Sequence, residues 1–253
     1  MFADLAFFSF VQLTDPLQHR AYNDWHLLDH RPENLALPGV AWGDRWARTT
    51  QYKGTGTATA EFTDVDYAAM YWFRSPVAES VDAWDKLGGD SFQWGRGPLI
   101  PGVERRLLAF FRPVKGYAAT RALVSPDVLP FRPNRGLHLT LTQFAEPTSL
   151  DTHALHQWED RLAIPGLVDV PGVAGAWTFS FSHPQRHASL PFADTAERLP
   201  NSLRIRLLYL DDDPLETTAR INDRLAAIEP PPAPPGTVLL ATPLKTIIPW
   251  GDL

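Results

Sequence analysis

Two histidines four residues apart, His26 and His30, are the residues of this chain whose types and spacing best suit chemistry. On an α-helix, residues at this spacing lie on one face, a turn apart. A histidine pair is a natural general acid or base near neutral pH, and Asp29 or Glu33 could orient an imidazole ring. A structural use of His30, which would bond a carbonyl group at a helix end, stays open as the alternative.

The segment around these histidines recurs in the second half of the chain without them. Five identical residues recur at a constant offset, and in that frame His26 aligns with Glu159 and His30 with Ala163. A duplicated scaffold must keep its frame, whereas one set of reactive side chains is enough for chemistry. The loss therefore indicates that His26 and His30 are functional. The identical residues are Trp25 and Trp158, Pro32 and Pro165, and the triplets Pro38-Gly39-Val40 and Pro171-Gly172-Val173.

Further candidates lie in the predicted strands. Arg45 stands between two tryptophans, where an arginine can hold a carboxylate or an enolate; a salt-bridged surface arginine is the equal alternative. His138 is a candidate if its side chain points into a barrel, and a haem ligand as a less favoured use. The candidate substrate-binding residues, many of which would also suit a core, are Tyr22, Trp42, Trp46, Tyr71, Trp72, His138 and Trp177.

The elements that must position these residues follow the same order in both halves. Hydrophobic patterning predicts strand, helix, strand, strand, helix and strand, the order of a ferredoxin-like unit. In the first half, the first helix is predicted to end at Pro32, because proline lacks an amide proton. The third strand is predicted over residues 57–62 and the next helix from residue 65 to 74.

We therefore expect an α+β fold in which two tandem ferredoxin-like repeats pack sheet to sheet as an α+β barrel, with a cavity between the sheets. Residues 1–115 form the expected first repeat, which carries the histidine motif. Residues 116–135 form a linker, and residues 136–253 form a second, degenerate repeat.

Composition narrows the class of protein. The formal net charge is −6 and the basic residues are scattered, so no nucleic-acid partner is expected. No apolar run approaches the roughly 20 residues that cross a bilayer, and Asp4 stands where a signal peptide would carry a cation. The chain has no cysteine, which excludes disulfides, thiolate metal sites and a cysteine nucleophile. We expect a cytoplasmic protein with no membrane partner.

The run from Asn23 to Val40, followed by Arg45, resembles the EthD-like branch of the dimeric α+β barrel superfamily. The shared features are an acid–histidine pair, a proline two residues after the histidine, an apolar stretch that ends in Pro-Gly, and an arginine in the next strand. The resemblance implies a pocket over the sheet that takes apolar or aromatic small molecules. The superfamily includes cofactor-independent monooxygenases, polyketide cyclases, lactone isomerases, aldoxime dehydratases and haem enzymes. The two repeats look like a fused version of the usual homodimer.

The expected function is that of a cofactor-free enzyme for acid/base chemistry, an isomerase, cyclase or lyase, on an aromatic or polyketide-like substrate in the barrel cavity. His30 is the expected acid or base, His26 and Asp29 tune it, and Arg45 stabilises negative charge on oxygen. The alternatives are a cofactor-independent monooxygenase, a haem or divalent-metal enzyme, and a non-enzymatic carrier of a hydrophobic ligand. No metal site is expected, since no His-Glu-x-x-His signature is present. The expected partner is the hydrophobic substrate, and the protein is expected to be a monomer or a homodimer.

Overall fold

Strands and helices alternate along the chain in an α+β arrangement. A computed structural model describes residues 2–96, 100–186, 197–233 and 236–248. The strands are β1 (Leu5–Leu13), β2 (Val40–Ala47), β3 (Thr57–Ala58), β4 (Tyr67–Phe73), β5 (Val103–Ala118), β6 (Gly136–Gln143), β7 (Val173–Pro184), β8 (Leu203–Leu210) and β9 (Thr237–Thr246). The α-helices are α1 (His19–Trp25), α2 (Arg31–Ala36), α3 (Thr50–Lys53), α4 (Val77–Gln93), α5 (Leu150–Trp158), α6 (Ile164–Val168) and α7 (Pro214–Ala227). A π-helical turn at His26–His30 joins α1 to α2, and one at Glu159–Ala163 joins α5 to α6.

The strands form one antiparallel sheet that closes on itself. Their order is β2-β4-β1-β5-β7-β8-β6-β9-β3, and β9 also pairs with β2. Four strands of the first half, β2-β4-β1-β5, and the four of the second half, β7-β8-β6-β9, are therefore neighbours. The pairs β5–β7, β2–β9 and β3–β9 join the halves. The expected α+β barrel is confirmed. The two halves of this sheet meet at their edges as well as across the interior, so that the long edge strands have partners.

Side chains from both halves fill the inside of the barrel. Trp72 packs edge-on against Trp177 with ring centroids 5.3 Å apart, and Phe8 packs against Phe179 at 5.1 Å. Leucines of β6 and β8 complete this core. A substrate cavity was expected inside the barrel, but these side chains fill the interior. The predicted location of the cavity between the sheets is therefore wrong, because the cavity described below lies outside the barrel core.

Helices cover the outer face of the sheet. In the first half, α2 and α4 pack on Phe7, Tyr71 and Phe110. In the second half, α6 and α7 pack on β7 and β8. Within the ranges that the structure describes, no helix has both the length and the apolar character that a membrane crossing requires.

Strand β4 occupies the segment in which a helix was predicted from residue 65 to 74. All seven side chains of β4 are buried, because β4 runs between β1 and β2 with the core on one side and helices on the other. A short, wholly apolar run does not distinguish a buried strand from a helix. The strand predicted over residues 57–62 reduces to β3, which pairs with β9. Strand β5 continues to Ala118, three residues beyond the boundary expected at residue 115.

Candidate active site

The first helix of the first half contains a π-helical turn with His26 and His30 at its two ends. The backbone N–H of Arg31 donates to the carbonyl oxygen of His26, five residues back. The next residue, Pro32, has no N–H for an α-helical bond to the carbonyl four residues back. The wider turn accommodates this proline and the helix continues to Ala36. The prediction that Pro32 ends the helix is therefore wrong.

The same turn occurs at the same position in the second half. There the N–H of Ile164 donates to the carbonyl oxygen of Glu159, and Pro165 follows. The π turn thus belongs to the duplicated scaffold and does not depend on the histidines. π-helical turns occur frequently at functional sites, where they change the direction of side chains.

A cavity of about 100 Å³ lies between this helix, α4 and the outer face of the first-half sheet. Ser9 and Ala69 stand opposite each other on β1 and β4, and their small side chains leave space above the sheet. Tyr71 lies over Gly43, where a Cβ atom would come within 2.2 Å of the tyrosine ring. The cavity is thus built by small residues in the sheet and large ones around them. Of the predicted site residues, the lining includes Tyr22, His26, Asp29, His30 and Tyr71.

The two histidine rings meet edge to face with centroids 5.2 Å apart. The Trp25 ring stacks on His30 at 4.6 Å. Burial, together with the positive charge of Arg105, lowers the pKa of His30 to about 3. Burial, followed by the charge of Arg45, also lowers the pKa of His26 well below its ordinary value. Both imidazoles are therefore neutral near neutral pH.

Asn34 fixes the tautomer of His30. The side-chain nitrogen of Asn34 donates to the backbone oxygen of His30 and lies 3.2 Å from its Nδ1. A carbonyl oxygen only accepts, so the amide nitrogen must face it, and the same NH₂ group donates to Nδ1. A neutral imidazole carries one ring proton, which we therefore assign to Nε2. His30 presents a donor at that nitrogen.

Asp29 binds an arginine where an imidazole was expected. Arg96 donates to Asp29 through Nε at 3.0 Å and Nη2 at 2.8 Å, and its Nη2 lies 2.5 Å from Glu33. The hydrogen bond with Arg96 lowers the pKa of Asp29. Nε1 of Trp25 donates to the Arg96 carbonyl oxygen at 3.0 Å. These contacts join α4 to the first helix at one edge of the cavity.

Arg45 lies on β2, opposite Ala69, and faces the helix layer. Its guanidinium carbon is 5.2 Å from the ring centre of Tyr22 and 5.1 Å from that of Tyr67. The side chain is only 1% exposed, and its three nitrogens have no hydrogen-bond partner among the described residues. Burial lowers the pKa of Arg45. The alternative interpretation as a salt-bridged surface residue is therefore wrong.

Arg105, Asn34 and Arg96 also line the cavity, and no sequence pattern predicted them. A β-bulge positions Arg105, because the register between β1 and β5 shifts between Phe10 and Val11. Bulges turn a side chain to the other face of a sheet. The sequence places Arg105 beside Arg106 and gives no signal of which faces inward.

Five predicted substrate-binding residues lie away from this cavity. The indole rings of Trp46, Trp72 and Trp177 belong to the barrel core, and Trp42 packs against it. His138 is buried on the outer face of the second half, because its neighbours Leu137 and Leu139 fill the interior. Burial and the charge of Arg206 lower the pKa of His138 to about 3.

No model of a protein family and no curated protein matches the sequence. Among solved structures, a candidate chlorite dismutase is 12% identical with a TM-score of 0.49, over 96% of this chain and 95% of that chain. An anthrone oxidase-like protein is 12% identical with a TM-score of 0.44, over 97% and 92%. A candidate monooxygenase of Fusobacterium nucleatum is 11% identical with a TM-score of 0.49, over 98% of both chains. Identities and scores this low carry no argument about function, which we take from the site.

Proposed function

We propose that this protein is a cofactor-free enzyme that transfers protons to and from a small hydrophobic molecule in the first-half cavity. The observation that supports it is the pair of neutral imidazoles, a buried His26 and a half-buried His30, which line one cavity with ring centroids 5.2 Å apart. One imidazole of such a pair can accept a proton while the other donates to an oxygen. The reaction class is isomerisation, cyclisation or elimination. The EthD-like pattern around His30 supports the same location.

The two histidines have different roles. His30, the expected acid or base, takes the role of a neutral donor from Nε2 to a substrate oxygen. His26 has an Nδ1 with no hydrogen-bond partner among the described residues, and it accepts the proton from the substrate carbon. The electron pair of that C–H bond forms a carbon–carbon double bond, and the π pair of the carbonyl group moves to the oxygen. There His30, Arg105 and, from behind Tyr22, Arg45 favour the negative charge. Return of the proton from His26 to another carbon completes an isomerisation.

The cavity walls define the substrate. Phe7, Trp84, Leu108 and Phe92 line it, so most of the substrate surface is apolar. Its volume of about 100 Å³ is below the roughly 300 Å³ at which pockets for drug-sized ligands begin. We therefore propose a compact substrate with about one ring, and not a large polyketide.

A haem or a metal ion does not fit the described residues. A macrocycle needs more space than about 100 Å³. Across the described ranges, no group of three or more histidine and carboxylate side chains could hold a metal ion. We derive no step through either group.

Deuterium exchange tests the proposal even while the product is unidentified. Single-ring ketones and 1,3-diketones, with and without a carboxylate group, are incubated with the protein in D₂O, and loss of the acidic C–H signal is followed by NMR. We expect exchange above the uncatalysed rate, which His26→Gln abolishes and His30→Gln slows by about 10²- to 10⁴-fold, a typical loss for one acid/base group. His138→Gln is the matched control, because His138 is equally buried but outside the cavity, and it should leave the exchange rate unchanged.

Three results separate the alternatives. Exchange that both cavity variants retain would overturn the roles of the histidines. Ligand binding without any exchange would indicate a carrier. Oxygen uptake that accompanies exchange would indicate a cofactor-independent monooxygenase, in which the same carbanion meets oxygen.

A further inference from the structure

The guanidinium group of Arg45 makes no ion pair and no hydrogen bond among the described residues, and the neighbouring carboxylate of Asp44 lies 3.8 Å from Nε of Arg31 instead. The Arg45 guanidinium group lies between the faces of Tyr22 and Tyr67, and its nitrogens are out of contact with water. His26, the titratable helix residue near Arg45, is neutral. The carboxylates of the same helix are turned away, because Asp29 and Glu33 bind Arg96. An unpaired buried charge is costly, and aromatic faces offset only part of that cost.

The second half holds the same kind of charge but supplies its partner. Glu159 occupies the position of His26, and its Oε2 lies 3.1 Å from Nε of Arg204. Its Oε1 lies 3.7 Å from Nη1 of Arg206. Burial alone would raise the pKa of Glu159, but a hydrogen bond with His156 and the two arginines lower it overall, so Glu159 is ionised.

The strands that face these helix positions also correspond between the two halves. Arg45 stands opposite Ala69 in the β2–β4 ladder, and Thr178 stands opposite Arg206 in the β7–β8 ladder. The guanidinium group thus comes from β2 in the first half and from the neighbouring strand, β8, in the second. In the first half, small Ala69 and neutral His26 leave a cavity where the second half has an arginine and a carboxylate.

We infer that the ligand of the first-half cavity is an anion, whose charged group takes the place that the carboxylate of Glu159 has in the second half. This inference rests on the proposed site and names its substrate class. The ligand is a compact monoanion with one ring, which carries a carboxylate, phenolate or enolate. The charged group of the ligand faces His26 and Arg105. Its negative charge offsets the positive charge of Arg45, which lies behind the Tyr22 ring. The ring lies against the apolar walls formed by Phe7 and Trp84.

Benzoate and benzamide are the test probes, since they share size and ring but differ in charge. Calorimetric titration of the full-length protein should show binding of benzoate at least tenfold tighter than of benzamide. His26→Glu installs the carboxylate of the second half, and we expect it to raise Tm and to weaken benzoate binding at least tenfold. His26→Gln is the matched uncharged control and should keep the preference for benzoate. Arg45→Met provides an independent variant, in which the ratio between the two affinities should fall towards one.

Equal affinities for benzoate and benzamide would overturn the inference, as would the absence of benzoate binding at millimolar concentration. An unchanged affinity ratio in Arg45→Met would also overturn it, whether or not His26→Glu folds. These outcomes are separate from those for the proposed reaction, because binding needs no turnover. Preferential binding of benzoate without deuterium exchange would contradict the reaction alone, and exchange confined to neutral compounds would contradict the anion alone.

Discussion

The properties of His30 come from the residues around it. Burial against Trp25 and the nearby charge of Arg105 keep the ring neutral, and the amide of Asn34 selects the nitrogen that carries the proton. A neutral imidazole with a fixed Nε2–H can polarise a substrate oxygen and needs no proton from the solvent. This is the property that distinguishes His30 from an ordinary surface histidine, whose two tautomers exchange freely.

We predict that Asn34→Asp inverts the tautomer of His30. A carboxylate can only accept, so it would take the proton of Nδ1 and leave Nε2 as an acceptor. The negative charge would also raise the pKa of His30. Nitrogen chemical shifts of the imidazole ring should show Nε2–H in the wild type and Nδ1–H in the variant. The control is Asn34→Leu, which introduces the residue found at the aligned position, Leu167, and should give a mixture of tautomers. Identical ring shifts in all three proteins would contradict the assignment.

Trp25 shows how one residue can serve both scaffold and site. Its indole nitrogen donates to the carbonyl oxygen of Arg96, and the indole nitrogen of Trp158 donates in the same way to that of Glu229. The two bonds span the same distance along the chain, 71 residues. The duplicated tryptophan therefore ties the first helix of each half to the end of the second helix. In the first half its ring also stacks on His30 with centroids 4.6 Å apart.

At the scale of elements, the π turn brings His26 and His30 together. We predict that Pro32→Ala weakens the site without unfolding the protein. Alanine restores an N–H that can bond the carbonyl oxygen of Leu28, which favours an ordinary α-helical turn and a rotation of His26 relative to His30. Benzoate affinity and deuterium exchange should fall at least tenfold, while Tm should stay the same or rise. Pro165→Ala makes the same change in the second half and should alter neither measurement.

The two proline variants also separate a local effect from a global one. A loss of binding in both would indicate that the barrel as a whole had loosened. Full binding in Pro32→Ala would show that the π turn does not position the histidines. A loss confined to Pro32→Ala would establish that the turn acts on the site in its own half.

Much of the fold could be predicted from local signals in the sequence. The duplicated segment indicated two halves with matching elements, and its Pro-Gly-Val triplets lead into β2 and β7. The course of β4 could not be predicted, because a strand buried on both faces loses the alternation that identifies a strand. In the site, the loss of both histidines from the second half indicated His26 and His30. Arg105 and Asn34 depend on a bulge and on a helix that continues past a proline, which no single-residue signal encodes.

At the scale of the whole molecule, both halves of the barrel belong to one chain, so each half can differ from the other. In the described residues, β5 and β7 pair over nine positions and close the barrel within one chain, whereas β2 and β9 pair over two. A fused barrel can change one half without changing the other, which identical subunits of a homodimer cannot do. The second half has an internal ion cluster where the first half has a cavity and a histidine pair. That cluster, around Glu159, keeps the second half packed.

Buried neutral histidines make the whole molecule sensitive to acid. The pKa values of His30 and His138 are lowered to about 3 by burial, and that of His26 is also lowered well below normal. In the unfolded chain these groups take up protons below a pKa of about 6.5. In the folded chain His30 and His138 do not take them up until the pH is near 3, and His26 takes one up only well below 6.5. Their contribution to stability is therefore complete above pH 6.5 and is lost as the pH falls from there.

We predict that the free energy of unfolding falls steeply between pH 7 and pH 5. His30 and His138 should each cost about 2 kcal/mol over this range, and His26 adds a loss of the same sign, so the loss is at least about 4 kcal/mol, a large part of the roughly 5–15 kcal/mol of a typical domain. Urea denaturation at the two pH values measures it directly. His138→Gln removes one titrating group, so the loss should shrink by about 2 kcal/mol even if the variant is less stable at pH 7. An equal loss in both proteins would show that His138 is not buried in its neutral form. If the wild type were as stable at pH 5 as at pH 7, the histidines would have ordinary pKa values in the folded protein, and the neutral-donor role of His30 would be contradicted.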